Sequence, residues 1–298
     1  MAELGDVGGP LSGTIAEAEA GYYPHIVDQL IAERGEKLFS SRALPIIKPF
    51  LYRMLRYKEA VRMADALAPL PGTAAMQYVS ELLSLDLDVS GLDNIPRSGA
   101  FIVVANHPTG IADGVAVYDA LRPVRPDISI FTNRDAIRIN PRLSEFLIPV
   151  EWREAFRDRA KTKETLRISS AAFAEERAVV IFPSGRIAFW ANKRLNERPW
   201  QASAVTLAKK QDVPIVPAHV DARNSPLFYW FANGGFTELR DMTVFHELLN
   251  NRGKRFGVRF GPIIPQEELT GDTAELTARL QAHCAETLRE DPQAKFAP

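Results

Sequence analysis

Three short apolar runs constrain this chain more than anything else in it: Phe101–Ala105 (FIVVA), Ala178–Phe182 (AVVIF) and Val213–Val220 (VPIVPAHV). A strand with one wet face alternates apolar and polar residues. A strand covered on both faces has no reason to, and such strands belong mainly to parallel sheets clad in helices. Helical patterns lie between the runs, at Lys161–Glu176 and at Pro199–Lys210, where Ala202, Val205 and Leu207 are apolar and Lys209 and Lys210 sit near the helix C-terminus that favours cations. Further strands are expected where Leu85, Leu87 and Val89 alternate with Asp86, Asp88 and Ser90, and at Asp127–Thr132, Phe146–Trp152 and Arg255–Phe260. A final helix is expected at Ala274–Arg289. Strands alternating with helices predict a layered α/β sheet flanked by helices.

Residues 1–84 differ in character and are expected to form a helical N-terminal region, leaving 85–298 as the α/β body. After a glycine-rich start, Thr14–Glu36 carries Ile26, Val27, Leu30 and Ile31 at helical spacing. Arg42–Lys58 then combines Leu44, Ile46, Ile47, Phe50, Leu51, Met54 and Leu55 with Arg42, Lys48, Arg53, Arg56 and Lys58, and no acid intervenes. Large aliphatics beside a basic face suit a helix lying in a bilayer interface. The same pattern suits an amphipathic helix capping a core, and both readings stand. Pro45 and Pro49 are expected to break or bend its start.

The first run leads straight into Asn106-His107-Pro108, with Asp113 six residues beyond the histidine. A base and an acid thus stand at the mouth of a buried strand, where α/β sheets present reactive groups. On an unbroken helix, six residues at about 100° each would carry Asp113 roughly 240° away from His107. Contact needs a turn first, and Pro108 and Gly110 supply its residues. A histidine oriented by a carboxylate can take a proton from a hydroxyl; a strand-end histidine can also be hydrogen-bonded scaffold. The second run ends in Pro183-Ser184-Gly185-Arg186, which puts a guanidinium suited to anions over the same crevice. The third contributes His219.

Several function classes recede. A net charge of −1 gives the whole chain no electrostatic reason to seek nucleic acid. One cysteine, Cys284, leaves no intramolecular disulfide and is expected to be buried. The N-terminus lacks the basic start and apolar stretch of a secretory signal, and no run of about 18 apolar residues predicts a transmembrane helix. No G-x-S-x-G elbow is present, and His219, His246 and His283 lack metal-ligand spacing, so no metal is expected.

NHPTGIADG, IFPSGRIA and VPIVPAHV, in this order and spacing, resemble the first, third and fourth motifs of the glycerolipid (lysophosphatidate-type) acyltransferases. More narrowly, the chain resembles their bacterial lyso-aminolipid branch, which includes ornithine-lipid O-acyltransferases and hemolysin-labelled sequences. NSPLFYWFAN and FHELLNNRGKRFGVRFGPII also look like that branch, and the similarity spans roughly residues 78–265.

The resemblance implies acyl transfer from acyl-CoA or acyl carrier protein to a lysolipid hydroxyl, with no further cofactor. His107 would be the general base and Asp113 its orienting acid, with Asn106 and Thr109 lining the acceptor site. Arg186 would contact an anionic part of acceptor or donor, with Pro183, Ser184 and Gly185 shaping its pocket. Arg134 falls where the family's less regular second motif binds acceptor. The implied setting is the cytoplasmic face of an inner membrane, held peripherally. Five residues separate His107 from Asp113 where four are common in the family, and Ser184 stands where phosphate-handling members usually carry Glu. The lyso-aminolipid branch shares the longer spacing, and the loss of the Glu makes a glycerol-phosphate head group one candidate among several, so acylation of 1-acylglycerol-3-phosphate is the second reading, and one protein could do both. A lipid-binding module without turnover is the reading from another class. Trp190, Lys193 and Arg194 are open to a donor-contacting or a solvated-loop reading, and for Trp230 and Phe231 core packing is expected ahead of anchoring at lipid.

Overall fold

A computed structural model describes residues 23–151 and 158–297. Its centre is a seven-stranded sheet. All seven of its strands were anticipated close to where they fall, the first five being β1 (Asp86–Ser90), β2 (Phe101–Ala105), β3 (Ile128–Asn133), β4 (Leu147–Val150) and β5 (Ala178–Ile181). A two-stranded ribbon follows, β6 (Phe189–Ala191) with β7 (Arg194–Asn196), and then β8 (Ile215–Asp221) and β9 (Arg255–Phe260) complete the sheet. The order is β1-β9-β8-β2-β5-β3-β4. Every neighbour in it is parallel except β8 with β9.

All five residues of β2 are buried, as its unbroken apolar run requires. Successive side chains point to opposite faces. Phe101, Val103 and Ala105 therefore join one apolar cluster, while Ile102 and Val104 join a second. Ala178 and Val180 against Val179 and Ile181 repeat the division in β5. The second cluster is covered by three helices, Arg159–Ala174, Ser203–Gln211 and Thr273–Ala282, with the fully buried Cys284 just beyond the last.

The N-terminal helices cover the first cluster. Val27, Leu30, Ile31, Leu51, Leu55, Met63, Leu67, Met76 and Leu83 lie in the same apolar body as Phe101 and Val103. The helical pattern seen from Thr14 continues here as Ile26–Ala32 and Glu36–Phe39; its start lies outside the described residues, as does Trp152 at the end of the expected fourth strand. Leu44–Met54 forms one helix with Pro45 in its first turn and Pro49 inside it, so neither proline ends it. Its inner side buries Leu51, with Leu55 just past its end, while Ile46 and Phe50 remain 84% and 72% exposed. Both sides of that sequence pattern are thus realised at once. Among the described residues, no helix is long and apolar enough to cross a membrane.

Candidate active site

Parallel strands bring their C-terminal ends to one edge of the sheet, so β2, β5, β3 and β8 deliver the first, third and second motif regions and residues 221–225 side by side. Beyond Ala105 the chain leaves the sheet, and Asn106 continues the ladder with its side chain. Its Nδ2 donates to Val220 O at 2.9 Å and its Oδ1 accepts from Val220 N at 2.7 Å. Buried main-chain groups need partners, and Asn106 serves both on Val220.

His107 projects from this anchored chain. Its N–H donates to Glu197 Oε1 at 3.0 Å, its carbonyl accepts from Ala188 N at 2.9 Å, and its ring stacks on Phe182 with centroids 4.5 Å apart. The side chain keeps 18% exposure, enough for a substrate to reach it.

Asp113 is fully buried at the start of the helix Ile111–Leu121. Its Oδ2 accepts from Thr109 N and Gly110 N at 2.8 and 2.9 Å, and its Oδ1 accepts from the Thr109 hydroxyl at 2.5 Å. First-turn amides have no partner within a helix, and the dipole there favours a carboxylate. The same Oδ2 stands 3.0 Å from His107 Nδ1, an ion-pair contact lying off the axis of a straight hydrogen bond. The turn expected between the two residues centres on Gly110, whose φ is +94° and where a Cβ would come within 2.9 Å of Ile187 Cδ1. Conformation and space both call for glycine.

After β5, Phe182, Pro183 and Ser184 are buried and Gly185 turns the chain at φ +58°. The Ser184 hydroxyl donates to Arg186 O at 2.8 Å, and Pro183 O accepts from Gln201 N at 2.9 Å. Arg186 is exposed and makes no ion pair among the described residues. Arg134 follows β3, two strands from β2, and its mostly buried guanidinium pairs with Glu164 at 2.7 Å.

Two expectations need correction. β8 runs on to Asp221, so His219 lies within the strand, its Nδ1 2.8 Å from the carbonyl oxygen of Cys284. Burial holds that imidazole below its usual range. Trp230 and Phe231 do not both pack inside: Phe231 is buried, and Trp230 is 61% exposed and stacks on Phe236. Consecutive helical residues sit about 100° apart, and the helix Pro226–Asn233 has one face inward.

The sequence reading missed Glu197. Its Oε1 meets His107 N, and its Oε2 accepts from Trp200 Nε1 at 3.3 Å. Burial raises its carboxyl above the ordinary range, against these two donors and the nearby imidazole, which act the other way. A glutamate among Lys193, Arg194 and Arg198 reads as surface charge. Only the ribbon β6–β7, which turns at Asn192 and Lys193 with φ of 52° and 60°, returns it to a main-chain amide 90 residues earlier.

The family model described as Acyltransferase matches residues 86–221, from β1 through β8, a span holding His107, Asp113, Arg134, Arg186 and Glu197. Residues 86–221 carry an acyltransferase-family domain. This acyltransferase is 26% identical over 200 residues to the lyso-glycine lipid O-acyltransferase of Phocaeicola vulgatus, covering 65% of its own length and 70% of the relative. The figures for the protein of the same name from Bacteroides thetaiotaomicron are 26%, 65% and 71%. Among solved structures it is similar to the 1-acyl-sn-glycerophosphate acyltransferase PlsC of Thermotoga maritima, at 14% identity and a TM-score of 0.45 over 94% of each chain. The resemblance read from the motifs and the expectation of an acyltransferase enzyme hold.

Proposed function

We propose that this acyltransferase transfers a fatty acyl group from an acyl thioester to the hydroxyl of a lyso-aminolipid, with His107 as general base. The observation that carries the reading is the 3.0 Å contact between His107 and the fully buried Asp113, at the mouth of the sheet in a domain of this family. Asp113 engages Nδ1 and leaves Nε2 to accept the hydroxyl proton. The alkoxide oxygen attacks the thioester carbonyl, the C–S bond breaks, and the thiolate recovers the proton from the imidazolium. The donor is already activated, so no acyl-enzyme is required. Asp113 offsets the imidazolium charge in between.

The exposed guanidinium of Arg186 is free to meet an anionic part of acceptor or donor, and Arg134 lies on the same sheet edge. The Pro183–Gly185 turn shapes the pocket beside the ring of Phe182. A lyso-aminolipid is favoured over lysophosphatidate by Ser184, which puts no carboxylate beside Arg186, and by the similarity to two lyso-glycine lipid O-acyltransferases. Lyso-ornithine and lyso-glycine lipids are the two members to offer. The protein reaches them from the membrane surface through Ile46, Phe50 and the neighbouring cations Lys48 and Arg53, peripherally and on the cytoplasmic side.

Thiol release from acyl-CoA and from acyl carrier protein, with lyso-ornithine lipid, lyso-glycine lipid and lysophosphatidate as acceptors, tests this directly. Release that needs a lyso-aminolipid and is lost in His107→Ala is the expected result. Release with lysophosphatidate alone would overturn the acceptor. Binding of lysolipid vesicles with no thiol release from any pair would favour a module without turnover.

A further inference from the structure

The ribbon β6–β7 is tied at both ends to one residue. Ala188, just before β6, donates its N–H to the carbonyl of His107 at 2.9 Å, and Glu197, just after β7, accepts the N–H of His107 at 3.0 Å. These two bonds occupy both main-chain groups of the residue whose imidazole faces Asp113. Glu197 is held in turn by Trp200 Nε1 at 3.3 Å, and the backbone N of Trp200 is held by Gln281 Oε1 at 3.0 Å on the C-terminal helix. A chain of contacts therefore runs from the far layer of the fold to the main chain of His107.

We propose that Glu197 is a positioning residue for His107, fixing the peptide from which the imidazole projects. This rests on the reading of His107 as general base. A base working on a hydroxyl must be held within a few tenths of an ångström, and a shift of about 1 Å costs on the order of 10²-fold in rate. The Asp113 contact orients the ring, while Glu197 holds the main-chain N–H of the same residue. Each carboxylate oxygen of Glu197 accepts one N–H donor.

The test compares Glu197→Gln and Glu197→Ala with His107→Ala in acyl transfer to the best acceptor, together with thermal melts. Glu197→Ala loses the bond to the His107 amide, and kcat is expected to fall by about 10²-fold while acceptor KM stays put. Glu197→Gln keeps an acceptor for that amide, and its kcat is expected to fall less than that of the alanine variant. A glutamine variant as impaired as the alanine one, or an unchanged kcat in the alanine variant, overturns the proposal. Full activity in His107→Ala would instead sink the general-base reading beneath it, so the two failures are distinguishable.

Discussion

His107 and Asp113 stand 3.0 Å apart with five residues between them, because the chain reverses at Gly110 before the helix begins. The turn brings the amides of Thr109 and Gly110 onto one carboxylate oxygen, and that same oxygen faces the imidazole. Capping the helix and orienting the imidazole are thus one device.

His107→Ala is expected to lose about 10²–10⁴ in acyl-transfer rate, the usual cost of removing a general base. The ring is partly exposed, and Asp113 keeps its three other donors without it, so its loss is expected to lower the melting temperature only slightly. Initial rates and melts on the same preparation check both halves. A variant with normal turnover would remove the proposed dyad.

Asp113→Asn is expected to lose comparable activity and also stability. An amide nitrogen in place of Oδ1 or Oδ2 faces either the Thr109 hydroxyl or two backbone N–H groups. Each buried group left unpaired costs about 1–3 kcal/mol. Denaturant unfolding should show a lower midpoint for Asp113→Asn than for His107→Ala.

Gly110→Ala is expected to be destabilised by about 1–3 kcal/mol through its positive φ alone. The added methyl also meets Ile187. Adding Ile187→Ala removes that steric part and should restore only a portion of the stability. Complete restoration in the double variant would show that the backbone conformation carries no cost.

Asn106→Ala leaves both main-chain groups of Val220 without their partners. The cost is expected at about 1–3 kcal/mol for each group, with amide hydrogen exchange rising at Val220. Unchanged exchange there would separate Asn106 from the ladder.

Ile46→Ser with Phe50→Ser is expected to weaken binding to lipid vesicles with little effect on the melt, because both side chains stand mostly in water. Co-sedimentation with anionic and neutral vesicles measures it. Equal binding by the double variant would take this helix out of any membrane contact.

How much of this was legible beforehand depends on the range of each contact. The buried strands were visible because covering both faces of a strand demands an unbroken apolar run, and Phe101–Ala105 and Ala178–Ile181 are such runs. His107 and Asp113 were visible because their partnership is local, and the proline and glycine between them mark the turn it needs. The sequence by itself thus determined the strands of the main sheet, most of the helices that clad it and the pairing of His107 with Asp113. Tertiary structure alone decided that Glu197 meets the amide of His107 and that Asn106 completes the ladder with Val220. It also decided that Trp230 turns outward while Phe231 turns in. Each of these joins segments distant in the chain or depends on which side of a short helix meets the core. A main-chain amide carries no residue identity, so the acid that binds it leaves no pattern in the sequence to be read.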